Sequence, residues 1–138
     1  VPVSTNFRYS VSLAEQALLL VDDLPDIDRN VLVVAALLRD AGKADGFRLL
    51  PNGGLDLTAR GRWIGYQQTV LEWLALARWD VVIADESYFR LVHVLMVLAN
   101  PAIVPISIEA AILNSAASFV DSPVRFRGME TGKTLMQK

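Results

Sequence analysis

Five stretches of this chain place apolar residues three and four positions apart, and prolines, glycines or polar turns separate them. That spacing puts apolar side chains on one face of an α-helix. The predicted helices cover about residues 10–24, 28–42, 58–79, 85–100 and 107–120, with Ser10, Asp28 or Asp26, Thr58 and Ser107 as N-caps. Pro51-Asn52-Gly53-Gly54 indicates a tight turn within a small hairpin near residues 47–57. The prediction is an all-α bundle of five to six helices in one domain, residues 1–124, followed by a polar C-terminal tail, residues 125–138.

Composition narrows the classes of protein that this chain can represent. It has 138 residues, a net charge of -2, 53% hydrophobic residues and no cysteine. The longest apolar runs, Val31–Leu38 and Val92–Ala99, are far shorter than the roughly 20 residues of a membrane-spanning helix. We therefore expect no membrane partner, a cytoplasmic location without disulfides, and apolar surface hidden in a homo-oligomer or against another protein. Nucleic acid is a possible partner that the slightly acidic charge does not indicate.

The end of the second predicted helix carries the most specific motif. Ala36-Leu37-Leu38-Arg39-Asp40-Ala41-Gly42-Lys43 resembles the "LLHDIGK" signature of HD-domain metal phosphohydrolases, with Arg39 at the place of the metal-binding histidine. The order of later motifs is similar to that of the HD domain of YhaM-type 3′–5′ exoribonucleases, over about Tyr9 to Val124. The resemblance implies an HD-like helical bundle.

At the other ligand positions, the residues of this chain differ from those of the family. Tyr9 stands at the first metal-binding histidine, and Tyr66 ends the stretch 58–66, which resembles "T-x-E-G-x-L-I-G-H". Leu98-Ala99 replace a histidine pair, and Ala117 replaces a metal-binding aspartate. An HD centre needs several imidazoles and carboxylates to hold a metal that activates water. Asp40 is the one ligand that the resemblance retains, and His93, the single histidine, matches a position outside the ligand set.

These substitutions lead to a first hypothesis, a catalytically inactive HD-like domain that serves as a protein-interaction or scaffold module. HD domains occur in nucleic-acid-processing and conjugative-transfer proteins, which the resemblance suggests as a context. No catalytic residue, metal ligand or cofactor is assigned. The vestigial pocket is expected to comprise eight residues: Tyr9, Arg39, Asp40, Lys43, Tyr66, Leu98, Ala99 and Ala117. This hypothesis predicts a cleft filled by Tyr9, Arg39, Tyr66 and Leu98.

Two alternatives stay open from the sequence. A divergent metal-dependent phosphohydrolase acting on nucleotides or RNA ends would bring carboxylates such as Asp40, Asp45, Asp56 and Asp121 together around a divalent ion. A phosphate or nucleotide sensor would instead hold an anion with Arg39 and Lys43 in an open pocket, without cleaving it.

Three further features have simpler interpretations. Gly128–Thr134 is one residue short of a P-loop and lacks a preceding strand, so a nucleotide site there is not favoured. Three arginines and two tryptophans of the third predicted helix could form a basic, aromatic stripe for nucleic acid: Arg60, Arg62, Arg78, Trp63 and Trp73. A solvated helix face is the commoner origin of such a stripe. His93 is expected to be a packed, hydrogen-bonded group.

Overall fold

A computed structural model describes residues 2–121 of the chain, with side chains from Phe7 onward. This part of the chain is mainly helical, as predicted, and contains one two-stranded antiparallel sheet. The elements in chain order are α1 (Pro2–Leu20), α2 (Arg29–Leu38), α3 (Lys43–Gly46), β1 (Phe47–Leu49), β2 (Leu55–Leu57), α4 (Ala59–Trp63), α5 (Tyr66–Ala77), α6 (Asp85–Ala99) and α7 (Ile108–Val120). The hairpin prediction is confirmed, since Phe47 pairs with Leu57 and Leu49 with Leu55.

The hydrophobic core lies where α1, α2, α6 and α7 meet. Leu13 of α1 and Val21, directly after α1, pack there with Leu32 of α2, Val94 of α6 and Leu113 of α7, and all five side chains are buried. Small residues of α7 contribute to the same core, which lets neighbouring helices approach closely: Ala110, Ala116 and Ala117. The core therefore joins the first two helices to the last two, and α5 packs beside it through Val70 and Leu74.

Three of the predicted N-caps are confirmed by their hydrogen bonds. The Asp28 carboxylate accepts from the Val31 N–H (3.1 Å), and the Ser107 hydroxyl accepts from the Ala110 N–H (3.1 Å). The Thr58 hydroxyl accepts from the Gly61 N–H at 3.0 Å and so begins α4. The prediction for Ser10 is wrong. It lies buried inside α1, which begins eight residues earlier, at Pro2.

The helix predicted over residues 58–79 is in fact two helices. Gly65 separates α4 from α5 with a φ of 89°, a conformation that other residues adopt at a cost. The second predicted helix also ends earlier than expected. Regular α2 stops at Leu38, a turn follows, and Gly42 precedes the short α3 instead of ending α2. Both breaks lie close to the motifs that resemble HD signatures.

The described helices include none that is both long and apolar enough to cross a bilayer. The predicted tail, residues 125–138, and the glycine-containing motif Gly128–Thr134 lie outside the described residues.

Candidate functional site

A pocket of about 150 Å³ lies between the turn after α2, the start of α5 and the end of α6. Its wall is formed by seven residues: Arg39, Tyr66, Gln67, Val70, Leu95, Leu98 and Ala99. Four of these were assigned to the vestigial pocket from the sequence, namely Arg39, Tyr66, Leu98 and Ala99. The structure thus brings together residues from three motifs that are up to 60 positions apart in the chain.

Two glycines fix the position of Tyr66 in this wall. A Cβ on Gly42 would lie 2.0 Å from the Tyr66 carbonyl oxygen, so the turn after α2 touches the backbone of α5 directly. The positive φ of Gly65 turns the chain so that α5 begins at this contact. Backbone packing, not side-chain chemistry, therefore sets the distance between Tyr66 and the Arg39 turn.

Arg39 is the cation of the pocket wall, and Asp121 is its partner. The guanidinium Nη2 donates to an oxygen of the Asp121 carboxylate, which ties the turn after α2 to the end of α7. Burial by itself lowers the pKa of Arg39, but the hydrogen bond and charge of Asp121, with a contribution from Asp40, raise that pKa above its ordinary value. Arg39 therefore stays charged, and a carboxylate already holds one of its five N–H donors.

Lys43 and Asp40 lie beside the pocket but are not among its lining residues. The Lys43 ammonium is 3.6 Å from the Asp40 carboxylate and 5.1 Å from the centre of the Tyr66 ring. Burial of the Tyr66 hydroxyl and the negative charge of Asp40 both raise the pKa of Tyr66. The phenol therefore remains neutral near pH 7. The sensor hypothesis expected Arg39 and Lys43 to line the pocket together, and the structure places only Arg39 in its wall.

The remaining two predicted pocket residues are elsewhere. Tyr9 is an exposed residue of α1, and Ala117 is buried in the core on α7. The wall also contains residues that sequence reasoning missed, among them Val70 and Leu95. Helical spacing could have found both, because Val70 follows Tyr66 by four positions and Leu95 precedes Ala99 by four.

Three carboxylates of the phosphohydrolase alternative have basic neighbours within the chain. Asp121 pairs with Arg39, and Asp40 lies near Lys43. Asp56 pairs with Arg48 across the hairpin at 3.1 Å, and this hydrogen bond lowers the pKa of Asp56. Within residues 2–121, no three histidine, aspartate or glutamate side chains are placed to hold a metal ion.

Two arginines of the suggested nucleic-acid stripe have partners within the chain. Arg60 donates to Glu72 at 2.5 Å and to the Thr69 hydroxyl at 3.1 Å. Arg78 pairs with Asp85, and its guanidinium carbon lies 4.1 Å from the centre of the Tyr88 ring. Because Gly65 divides the predicted helix, Arg60 lies in α4 whereas Arg78 directly follows α5, so the two arginines do not belong to one continuous helix.

Comparison with known proteins adds no assignment, since no family model, curated protein or solved structure matches this chain.

Proposed function

We propose that this chain is a catalytically inactive HD-like helical domain that acts as a protein-interaction module. The observation that carries the proposal is the distribution of polar and apolar groups on the folded chain. Large apolar side chains remain exposed at many positions, whereas most of the charged side chains near the pocket are paired with one another.

The residues of the pocket wall support the catalytically inactive part of this proposal. Hydrolysis of this kind uses a metal-bound water, and the metal requires several anionic or neutral donor ligands. The wall instead contains the cationic Arg39 and the apolar side chains of Leu98 and Ala99. A guanidinium at this position repels a divalent cation.

The exposed apolar residues support protein binding. Trp79 is 89% exposed and Trp63 is 84% exposed, and both belong to the residue type most enriched among residues that dominate binding energy. The loop that carries Trp79 is closed at its base by the Arg78–Asp85 ion pair and by the stacking of Arg78 on Tyr88. Because these contacts already hold the loop in place, it loses little conformational freedom when its exposed tryptophan binds another protein.

Hydrolysis and metal analysis test the catalytic half of this proposal. Purified protein is incubated with Mn²⁺, Fe²⁺, Zn²⁺ or Ni²⁺, desalted and measured by plasma mass spectrometry. It is then assayed with Mg²⁺ or Mn²⁺ on an aryl phosphodiester, on nucleotides and on a labelled RNA. The expected result is no stoichiometric metal and no turnover above buffer. Turnover that is lost in Asp40→Asn but kept in Asp45→Asn would overturn the proposal.

One observation favours a second candidate, a sensor of small anions. Arg39 lines an open pocket and uses one donor for Asp121, so other N–H groups are available to a phosphate or carboxylate. Isothermal titration calorimetry with inorganic phosphate, acetate and a mononucleotide tests this candidate. Saturable binding that is lost in Arg39→Gln and kept in Arg48→Gln supports it. Equal binding by both variants contradicts it.

A further inference from the structure

Helix α6 is apolar on two opposite faces. Its inner face contributes Leu91, Val94 and Leu95 to the core. Its outer face carries Phe89, Val92, Met96 and Ala99, whose spacing of three, four and three residues places them in one stripe along the helix. Phe89 is 60% exposed and Met96 is 41% exposed. A surface helix ordinarily presents a polar face to solvent, whereas the apolar side chains of Phe89 and Met96 remain exposed on this face within the described part of the chain.

The loop between α6 and α7 extends this apolar surface. The Ile106 N–H donates to Nε2 of His93 at 3.0 Å, which holds the loop against the side of α6. Val104 and Ile106 lie two positions apart in this loop, and their exposed fractions are 74% and 86%. We define the α6 outer patch as Phe89, Val92, Met96, Val104 and Ile106.

The patch has the apolar area that a stable dimer interface needs. Side chains of this size present roughly 150–200 Å² each when fully accessible, so the exposed parts of the patch amount to about 450 Å². A standard interface buries about 800 Å² per partner, of which somewhat more than half is apolar, or again about 450 Å². The patch therefore matches the apolar centre of one standard interface.

We propose that the α6 outer patch binds the same patch of a second copy of this chain, with the two α6 helices antiparallel about a twofold axis near Val92. This inference rests on the proposed function and names the partner of the interaction module. In this arrangement Phe89 contacts the partner's Met96, and Met96 contacts the partner's Phe89. Contacts between a thioether and an aromatic ring are favourable. A twofold axis also makes one patch sufficient for both sides of the interface.

The charges at the ends of α6 select the antiparallel direction. Asp85 and Glu86 lie in its first turn, and Asn100 follows its last residue. Antiparallel helices place Asp85 near the partner's Asn100, so no like charges face each other. Parallel helices would place Asp85 and Glu86 beside the same acidic residues of the partner, which is less favourable than the antiparallel arrangement even though Arg78 and Arg90 pair with these carboxylates.

Sedimentation analysis tests the dimer. Protein concentrations between about 1 and 200 μM span weak and strong association. Wild-type protein is expected to reach twice the chain mass of 15.2 kDa. Phe89→Lys and Met96→Glu are each expected to weaken self-association at least about tenfold, since a charge is buried against an apolar side chain. Leu49→Lys and Leu55→Glu on the exposed hairpin are the matched controls and are expected to leave the mass unchanged.

Mixing the two single variants tests the antiparallel contact itself. In the mixed dimer the introduced lysine faces the introduced glutamate, while the second Phe89–Met96 contact stays native. An equimolar mixture is therefore expected to regain association that neither variant shows alone, with circular dichroism confirming that both remain folded. A monomeric wild type or a mixture that stays monomeric overturns the proposal. A dimer that neither charge disturbs overturns it too but leaves the interaction module intact, and the hydrolysis assay decides catalysis independently.

Discussion

Glu109 provides the sharpest test of how the helices are held together. Its carboxylate is buried at the start of α7, and one oxygen accepts from the Asp28 N–H and from Nη1 of Arg90, both at 3.1 Å. These two bonds connect α7 with the N-cap of α2 and with α6. Arg90 also pairs with the exposed Glu86 on its own helix, so a second carboxylate with the same partner is available as a control.

The expected cost of Glu109→Ala follows from these contacts. The substitution leaves the part-buried Asp28 N–H without its acceptor, which costs about 1–3 kcal/mol. It also removes one buried methylene group, at about 0.8 kcal/mol. Arg90 adds little, because it is partly exposed and keeps Glu86. We expect the free energy of unfolding to fall by about 2–4 kcal/mol.

Urea denaturation followed by circular dichroism measures this change. Glu109→Gln retains an oxygen for the Asp28 N–H and is expected to cost less than about 1 kcal/mol. Glu86→Ala removes an exposed partner of Arg90 and is expected to cost less than about 0.5 kcal/mol. If Glu109→Ala and Glu86→Ala destabilise the protein equally, the buried carboxylate does not join the three helices as argued.

Two further predictions concern the pocket and its support. Burial and, second, the charge of Asp40 raise the pKa of Tyr66. Ultraviolet titration is therefore expected to show one phenol that ionises above about pH 10. This ionisation is expected at a lower pH in Asp40→Asn and is expected to be absent in Tyr66→Phe. Because the folded state favours the neutral phenol, the contribution of Tyr66 to the free energy of unfolding is complete below about pH 10 and is lost as the pH rises through the raised pKa. If Tyr66→Phe still shows a phenol that ionises above about pH 10, that ionisation does not belong to Tyr66 and the prediction is wrong. A Cβ on Gly61 would lie 2.0 Å from the Gly46 carbonyl oxygen, so Gly61→Ala is expected to cost about 2–3 kcal/mol in urea denaturation. Gly53→Asn, in an open left-handed turn, is expected to be nearly neutral, and equal costs would contradict the packing argument.

Local sequence signals predicted the parts of the fold that local interactions determine. Asp28 and Ser107 accept hydrogen bonds three residues ahead, a contact that depends only on neighbouring residues. Ser10 gave the same signal but lies within α1, because the helix continues on its N-terminal side and its hydroxyl is buried. The break at Gly65 was missed for a related reason. It accompanies the close approach of the Gly42 turn to Tyr66, which no local pattern encodes.

The pocket shows the same division between local and distant information. Motif order predicted that Arg39, Tyr66 and Leu98 lie near one another, and all three line the pocket, where each is close to the end or start of a bordering helix. The partner of Arg39 could not be predicted in this way. Asp121 is 82 positions away, and only the packing of α7 brings it to Arg39. Lys43 was expected to face the pocket as a second cation, but the cation–π contact with Tyr66 and the nearby Asp40 account for its position beside it.

Three glycines constrain the backbone around the pocket. The motifs that resemble HD signatures contain Gly42, Gly61 and Gly65. At Gly42 and Gly61 a Cβ would overlap a neighbouring backbone oxygen, and Gly65 has a positive φ. A side chain at any of these positions would disturb the packing whether or not a metal is bound. Arg39 and Leu98 line the pocket with their side chains and carry no such backbone constraint, so substitutions there are expected to leave the backbone in place. The three glycines therefore constrain the backbone around the pocket more tightly than the side chains of the pocket wall do.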